Sequence, residues 1–512
     1  MKVVCSVLPV ALLALATPAG AQDPLAGDSV KADICAPTAI QLVPLHYDLD
    51  VAIDFETERL KATARLTVRN VSDRPATAVP LLLYRLLSAQ SAEGGAGEPL
   101  AVRQEVRGLA DWPQLQVTAL DVTLREPLAP GGETTVALRY AGHLLGYVET
   151  GMRYVQDRID PEFAIIRPDA FAYPVVSTPC FAAYRGAGTP EFSYRARITV
   201  PVSHAVANGG RLVAREVSDG SATFVYESVV PSWRMDFAVA RYGVLESDAR
   251  YGVLESDPHR GAAAGNGGSG DRVFYLPGDS AGAARVLRAM QRSRELFTRW
   301  FGPLETDPPI GGLTVIEIPD GWGSQKDRRT IIQAAAAFRD STRLDEVYHE
   351  VSHFWNVPPT DLPSPRWNEG LASYVEERAV ETLEERSVLD ERVTLTIEQL
   401  REQLDTRPEL GRVPLIDYGR EDMTGYSYRV GMLLFGVLEE LVGPEAFGEA
   451  IGGFYREYYE TGGSTDDFVV YADRVTAADL SDFFEDWVYS TGWADRVRTR
   501  GSLEELAAPY RE

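Results

Sequence analysis

Tyr348-His349-Glu350-Val351-Ser352-His353-Phe354-Trp355-Asn356 carries two of the chain's six histidines within five residues. No helix breaker lies between Arg343 and Asn356, and Pro358-Pro359 stops whatever precedes it, so a helix is predicted over 343–356. Four residues make about one helical turn, which puts His349 and His353 on one face with their imidazoles converging. Two neutral imidazoles so placed form half of a tetrahedral zinc site. Glu350, one position on, points beside such a metal, where a carboxylate can take a proton from an activated water. Downstream, Arg366-Trp367-Asn368-Glu369-Gly370-Leu371-Ala372-Ser373-Tyr374 opens a second predicted helix with Glu369 in its first turn. If that helix runs antiparallel to the first, Glu369 reaches a third corner of the metal. The fourth stays open to water, as in a catalytic zinc site.

Outward from this pair the pattern divides the chain in two. From Tyr47 to Tyr251 apolar and polar residues alternate, as in Tyr47–Phe55 and Leu60–Val68, with further runs at Thr134–Tyr140, Phe192–Val200, Ala222–Glu227 and Asp236–Val244. Gly, Pro, Asn and Asp turns separate them, which predicts an all-β sandwich or saddle. Arg241–Ala249 is then repeated at once as Arg250–Pro258, and Gly261–Gly270 has the composition of a flexible linker. A nine-residue duplication fits best at a domain edge, where insertions cost least. Beyond it strands are expected at Val273–Leu276 and Gly312–Pro319. Helices are expected at Ser280–Phe301, Glu369–Glu385, Asp390–Leu404, Tyr428–Val442, Glu445–Tyr458 and Ala477–Ser490. The expected fold class is α+β and multidomain: signal peptide 1–21, N-terminal segment 22–45, β domain 46–258, linker 259–271, mainly helical domain 272–497 and tail 498–512.

The composition, 45 % hydrophobic and 24 % charged, is that of a globular protein and excludes collagen-like, disordered and disulfide-scaffold classes. With 75 acidic against 50 basic residues the net charge is −25, which argues against nucleic acid and anionic lipid as partners. A peptide or small substrate is the better expectation. Met1-Lys2, the apolar run Val3–Ala16 and Ala19-Gly20-Ala21 have the order of a secretory signal cleaved before Gln22, so export to the periplasm or beyond is expected. No later run is long enough to span a bilayer. Cleavage would leave Cys35 and Cys180, which either bridge or sit as separate buried thiols.

H-E-x-x-H followed by W-N-E-G-x-A-S-Y resembles the gluzincin aminopeptidases. The resemblance extends to Thr178-Pro179-Cys180-Phe181, to Trp233–Val244 as a last β-domain strand, and to Phe483–Trp487 with Gly492-Trp493 near the end. It implies a β-saddle domain packed on a thermolysin-like, mainly helical zinc peptidase domain. His349, His353 and Glu369 would bind one zinc ion, and Glu350 would be the general base. The family also places a tyrosine from a Y-x-K-G segment against the oxyanion; Tyr428-Arg429-Val430-Gly431 takes that place, with Tyr426 and Tyr418 as competitors.

Three departures from the family stand out. Fifteen residues (354 to 368) separate His353 from Glu369, three fewer than is usual there. No residue transfers onto the glutamate of the family's G-x-M-E-N segment, which grips the substrate's amino terminus; Asp320 and Gln325 are the residues expected to line the cleft in that region. The helical C-terminal domain of larger members is also missing from the resemblance. The expected function is therefore that of an exported zinc metallopeptidase, with aminopeptidase action implied by the resemblance. An endopeptidase or non-peptide hydrolase with the same site, and a non-catalytic scaffold, remain as alternatives. Glu376-Glu377-Arg378 and Glu384-Glu385-Arg386 read as a solvated helix face, and His46, His143, His204 and His259 as isolated surface or core residues.

Overall fold

The structure is a computed structural model that describes residues 41–147, 156–186, 190–248, 252–256, 270–304, 312–361, 363–421, 423–476 and 478–511. The expected signal segment, Cys35, His259 and the linker at 261–269 lie outside the described residues.

In the first half, alternation does what period two dictates. Along Leu42–Asp54 the side chains of Tyr47, Leu49, Val51 and Ile53 are buried while Asp48, Asp50 and Asp54 face out. This strand lies inside an eight-stranded sheet, antiparallel to Arg59–Asn70 and parallel to Ser193–Pro201. A four-stranded sheet containing Ala76–Tyr84 and Gln116–Leu128, and a three-stranded one containing Phe163–Ile166 and Phe237–Ala240, share its apolar core. Cys180 is buried and disulfide-bonded, which decides against a free thiol there; Cys35, its candidate partner, lies outside the described residues.

The expected strand Asp236–Val244 divides. Phe237–Ala240 stays with the three-stranded sheet, while Gly243–Asp248 pairs with Arg272–Tyr275 in the second half. The duplicated copy follows it as Gly252–Ser256, folding back as a hairpin partner at the sheet edge. Strand pairing therefore runs across the expected boundary at residue 258. The full order is Gly252–Ser256, Gly243–Asp248, Arg272–Tyr275, Thr314–Ile318, Thr330–Ala334 and Gln325–Lys326. Thr314–Ile318 is buried along its whole length, as an interior strand covered on both faces must be.

Helices cover this sheet and build a second core. Ser280–Phe301 has the predicted limits and packs on the histidine-bearing helix. The predicted helix 343–356 is broken into Ser341–Arg343, Asp345–Ser352 and a tighter 3-10 turn at His353–Trp355. Trp367–Glu384 lies between that helix and Ser427–Val442. Helix Thr465–Thr476 was not expected from the sequence, and the expected tail docks through Leu503–Ala507 against Ser427–Val442. No helix among the described residues is long and apolar enough to cross a membrane.

Candidate active site

The two histidines come from one short helix and its closing turn, and the glutamate from the first turn of Trp367–Glu384. Glu369 Oε2 lies 3.5 Å from His349 Nε2 and 3.4 Å from His353 Nε2. One donor atom from each of the three falls within 4.8 Å of the others, close enough to share one ion. Proximity alone does not make a metal site, because acidic and imidazole groups also pair with each other. The chemistry of the set decides: two imidazoles and a carboxylate, turned inward and largely buried, are zinc donors. The shortened loop still delivers Glu369, helped by Asp361, whose carboxylate accepts from the Thr465 backbone and hydroxyl at 2.7 and 2.6 Å.

The groups behind the donors fix them. His349 Nδ1 is 2.6 Å from Glu376 Oε2, and His353 Nδ1 is 2.7 Å from the Asn356 side-chain amide. Each ring thus has its far nitrogen engaged; with the Asn356 amide turned so that its oxygen accepts from Nδ1–H, the Nε2 of His353 is presented to the shared centre as that of His349 is. Arg366, the residue before Trp367–Glu384, has a left-handed φ of 57° and returns its guanidinium to Glu369 Oε1. Burial raises the Glu369 carboxyl, but His353 and Arg366 outweigh it and hold it well below the usual carboxylate range. Burial likewise opposes protonation of His349, yet Glu376 and Glu369 carry its pKa well above 6.5. At His353 burial wins over the Glu369 charge and lowers the pKa, so the two imidazoles are pushed in opposite directions.

Glu350 is buried beside the donors, and desolvation pushes its carboxyl up to about 7, against the lowering effect of His349. Tyr428, in the first turn of Ser427–Val442, stacks its ring on His349 with centroids 6.3 Å apart and planes 11° apart. Burial and then the Glu369 charge raise its phenol pKa, which keeps it a donor. The competitors are elsewhere: Tyr426 accepts from Arg407 at 2.8 Å, and Tyr418 is sealed in the helical core.

Two glycines set this juxtaposition. A Cβ on Gly370 would lie 2.4 Å from Gly431 Cα and 2.5 Å from the Ser427 carbonyl oxygen. Only glycines let the helices approach so closely, and the crossing brings Glu369, next to one, against Tyr428, three before the other. Ser427 Oγ reinforces it by donating to the Pro365 carbonyl at 2.5 Å.

The reading of 376–378 as a solvated face is corrected. Glu376 holds His349, Glu377 is buried against Arg392, and Arg378 pairs with Glu439. Glu376 lies seven residues (376 − 369) after Glu369, two turns along one face, so the heptad spacing was the available signal. Asp320 is turned aside, accepting from Ala336 N at 2.7 Å, and Gln325 Oε1 accepts from Arg234 in the β domain at 2.6 Å. The residue beside Gln325 faces the site instead. Lys326 places its ammonium 5.0 Å from the Phe354 ring centroid, near the Glu350 charge. Counted from Gly323, Lys326 stands fourth, where G-x-M-E-N has its glutamate.

No protein-family model matches the chain. A glutamyl aminopeptidase of Bitis rhinoceros is 26 % identical over 237 residues, 43 % of this chain and 25 % of its own length. An aminopeptidase A of Gloydius brevicauda is 21 % identical over 487 residues, 88 % of this chain and 46 % of its own. The chain thus spans less than half the length of these curated relatives. An M1 zinc metallopeptidase of Deinococcus radiodurans, solved as a mutant bound to a Tyr-Ser-Ala substrate, superimposes with a TM-score of 0.63 at 19 % identity, over 87 % of this chain and 94 % of that one. A two-domain M1 zinc metallopeptidase mutant bound to L-tryptophan gives 0.61 at 19 % identity, over 90 % and 98 %. The β-then-helical two-domain fold expected from the sequence is the fold of these enzymes.

Proposed function

We infer that this chain, which belongs with the gluzincin aminopeptidases in fold and sequence, is a zinc-dependent metallopeptidase. The observation that carries this reading is the cluster of His349, His353 and Glu369 with Glu350 buried beside it. Those three residues would hold the zinc, which when bound supplies Lewis acidity toward water and the scissile carbonyl. Glu350 takes the proton of the attacking water and returns it to the leaving nitrogen. The Tyr428 phenol donates to the carbonyl oxygen as negative charge develops there. Glu376 and Asn356 keep the imidazoles aimed while this happens.

Removal of amino-terminal residues is the specificity the relatives suggest. Amino-acid anilides would then be cut and their N-acetyl versions left, and equal cleavage of both would defeat it. Lys326 in the segment that should grip an ammonium favours a second reading, cleavage of substrates anchored in another way. Zinc content and turnover of Glu350→Gln test the hydrolase itself. One zinc per chain and a rate lower by ~10²–10⁴-fold are expected. Bound zinc with equal, negligible rates in both proteins would favour a scaffold, and protein that never carries metal would end the reading. Export to the periplasm or beyond rests on the first 21 residues, and a mature chain beginning at Gln22 is the expected result of amino-terminal sequencing.

A further inference from the structure

The edge strand Gln325–Lys326 is held from both sides. Its two residues pair with Ile332 and Ile331 of Thr330–Ala334. Gln325 is fastened to the buried Arg234, which Asp236 and Asp169 hold in turn at 2.6 and 2.5 Å. Asp327 closes the following turn by accepting from Arg329 N and Thr330 N at 2.7 and 2.6 Å. Further back, Gly321 O accepts from Gln156 at 3.0 Å, and Trp322 meets Phe163 edge-on with centroids 5.0 Å apart.

Successive residues of a strand point to opposite faces. With Gln325 committed to the β domain, Lys326 is directed at the histidine-bearing helix, against Phe354 and near Glu350. Among the described residues no carboxylate stands within 4.0 Å of its ammonium. Glu350 lies farther off, and the neighbouring Asp327 is spent on its own turn. A half-buried lysine on a rigid strand beside the catalytic groups, with no ion-pair partner among the described residues, is a cation presented to whatever enters. Burial lowers its pKa to about 8, so it remains mostly charged at neutral pH.

We propose that Lys326 is the substrate anchor of this site and takes a carboxylate on the acyl side of the scissile bond. The proposal rests on the metallopeptidase reading and specifies its substrate class. An ammonium at that position would meet like charge, which disfavours a free amine there, whereas a carboxylate restores the missing ion pair. The carboxylate has two sources, an acidic first residue or a dicarboxylic acyl cap such as succinyl.

Four anilides separate these: leucyl, acetyl-leucyl, glutamyl and succinyl-leucyl. The wild-type enzyme is expected to give the glutamyl or the succinyl substrate a kcat/KM at least tenfold above both neutral ones, and the winner names the source. In Lys326→Met that advantage falls to about twofold or less, and in Lys326→Glu it reverses in favour of leucyl-anilide. Zinc content and melting temperature close to wild type show that the variants are folded. Calorimetric binding of the four compounds to zinc-loaded Glu350→Gln reads the same preference without turnover. A preference for either neutral substrate, or an anionic preference that survives Lys326→Met, overturns the proposal. The hydrolase reading fails differently, through missing zinc or unchanged rates in Glu350→Gln.

Discussion

Replacing Glu376 by alanine removes the acceptor 2.6 Å from His349 Nδ1 and leaves Glu350, Tyr428 and the three donors in place. A hydrogen bond to a charged group contributes about 1.5–3 kcal/mol. Part of that loss is recovered when water reaches the half-buried ring, and the remainder falls on the orientation and basicity of Nε2. Removing such a supporting partner typically weakens metal binding 10–100-fold, which corresponds to ~1.4–2.7 kcal/mol. Zinc affinity measured by competition with a chelator at neutral pH should therefore fall by that factor in Glu376→Ala. It should fall less in Glu376→Gln, whose amide oxygen still accepts. At saturating zinc kcat should stay within about threefold of wild type, because Glu376 acts on the site through its hydrogen bond to His349. A folded Glu376→Ala with wild-type zinc affinity, or one whose rate stays low when zinc is saturating, would refute this account of how His349 is held.

Tyr428→Phe removes one oxyanion donor, so kcat should drop by ~10²–10³ with KM nearly constant, and an unchanged kcat in steady-state assays would release the tyrosine from this role. Stripping zinc should lower the melting temperature, since ligand at about 100 times its dissociation constant stabilises by about 2.7 kcal/mol; equal melting with and without chelator would argue against a bound ion. Glu317 is buried under Leu276 N, which donates to its Oε2 at 2.7 Å, and desolvation pushes its carboxyl from 4.5 up to about 9. The folded chain then binds a proton that the unfolded chain releases above its lower pKa, so stability from this group falls as pH rises from about 4.5 toward 9. Glu317→Gln, neutral at every pH, should melt higher than wild type at pH 8 and lose most of that advantage near pH 5; a pH-independent difference would refute the assignment.

What could be read from the sequence followed periodicity and spacing. Ser280–Phe301 was legible because its apolar residues recur at helical spacing along one face. The metal donors were legible because i,i+4 geometry is local. Glu376 was obscured by Glu377 and Arg378, three charged residues in a row that pattern alone assigns to solvent. Their burial depends on the helices at Leu389–Thr406 and Ser427–Val442, which arrive from far along the chain. Lys326 was missed for a different reason. At the G-x-M-E-N spacing from Gly323 stands a cation where the family's pattern has a glutamate, so the motif gave no match. The hairpin of the duplicated copies was also hidden, because a repeat gives no sign of pairing with its own twin.

The contact between Gly370 and Gly431 has a consequence for how such a site can change. Glu369 and Tyr428 ride on the two backbones that touch there, so any bulk added at the contact shifts a metal donor and an oxyanion donor together. Damage at that point cannot be graded: a methyl group on either glycine should cost zinc affinity and turnover in the same step. A lineage drifting away from catalysis through this crossing would therefore lose both at once and pass through no form that binds metal tightly yet turns over slowly.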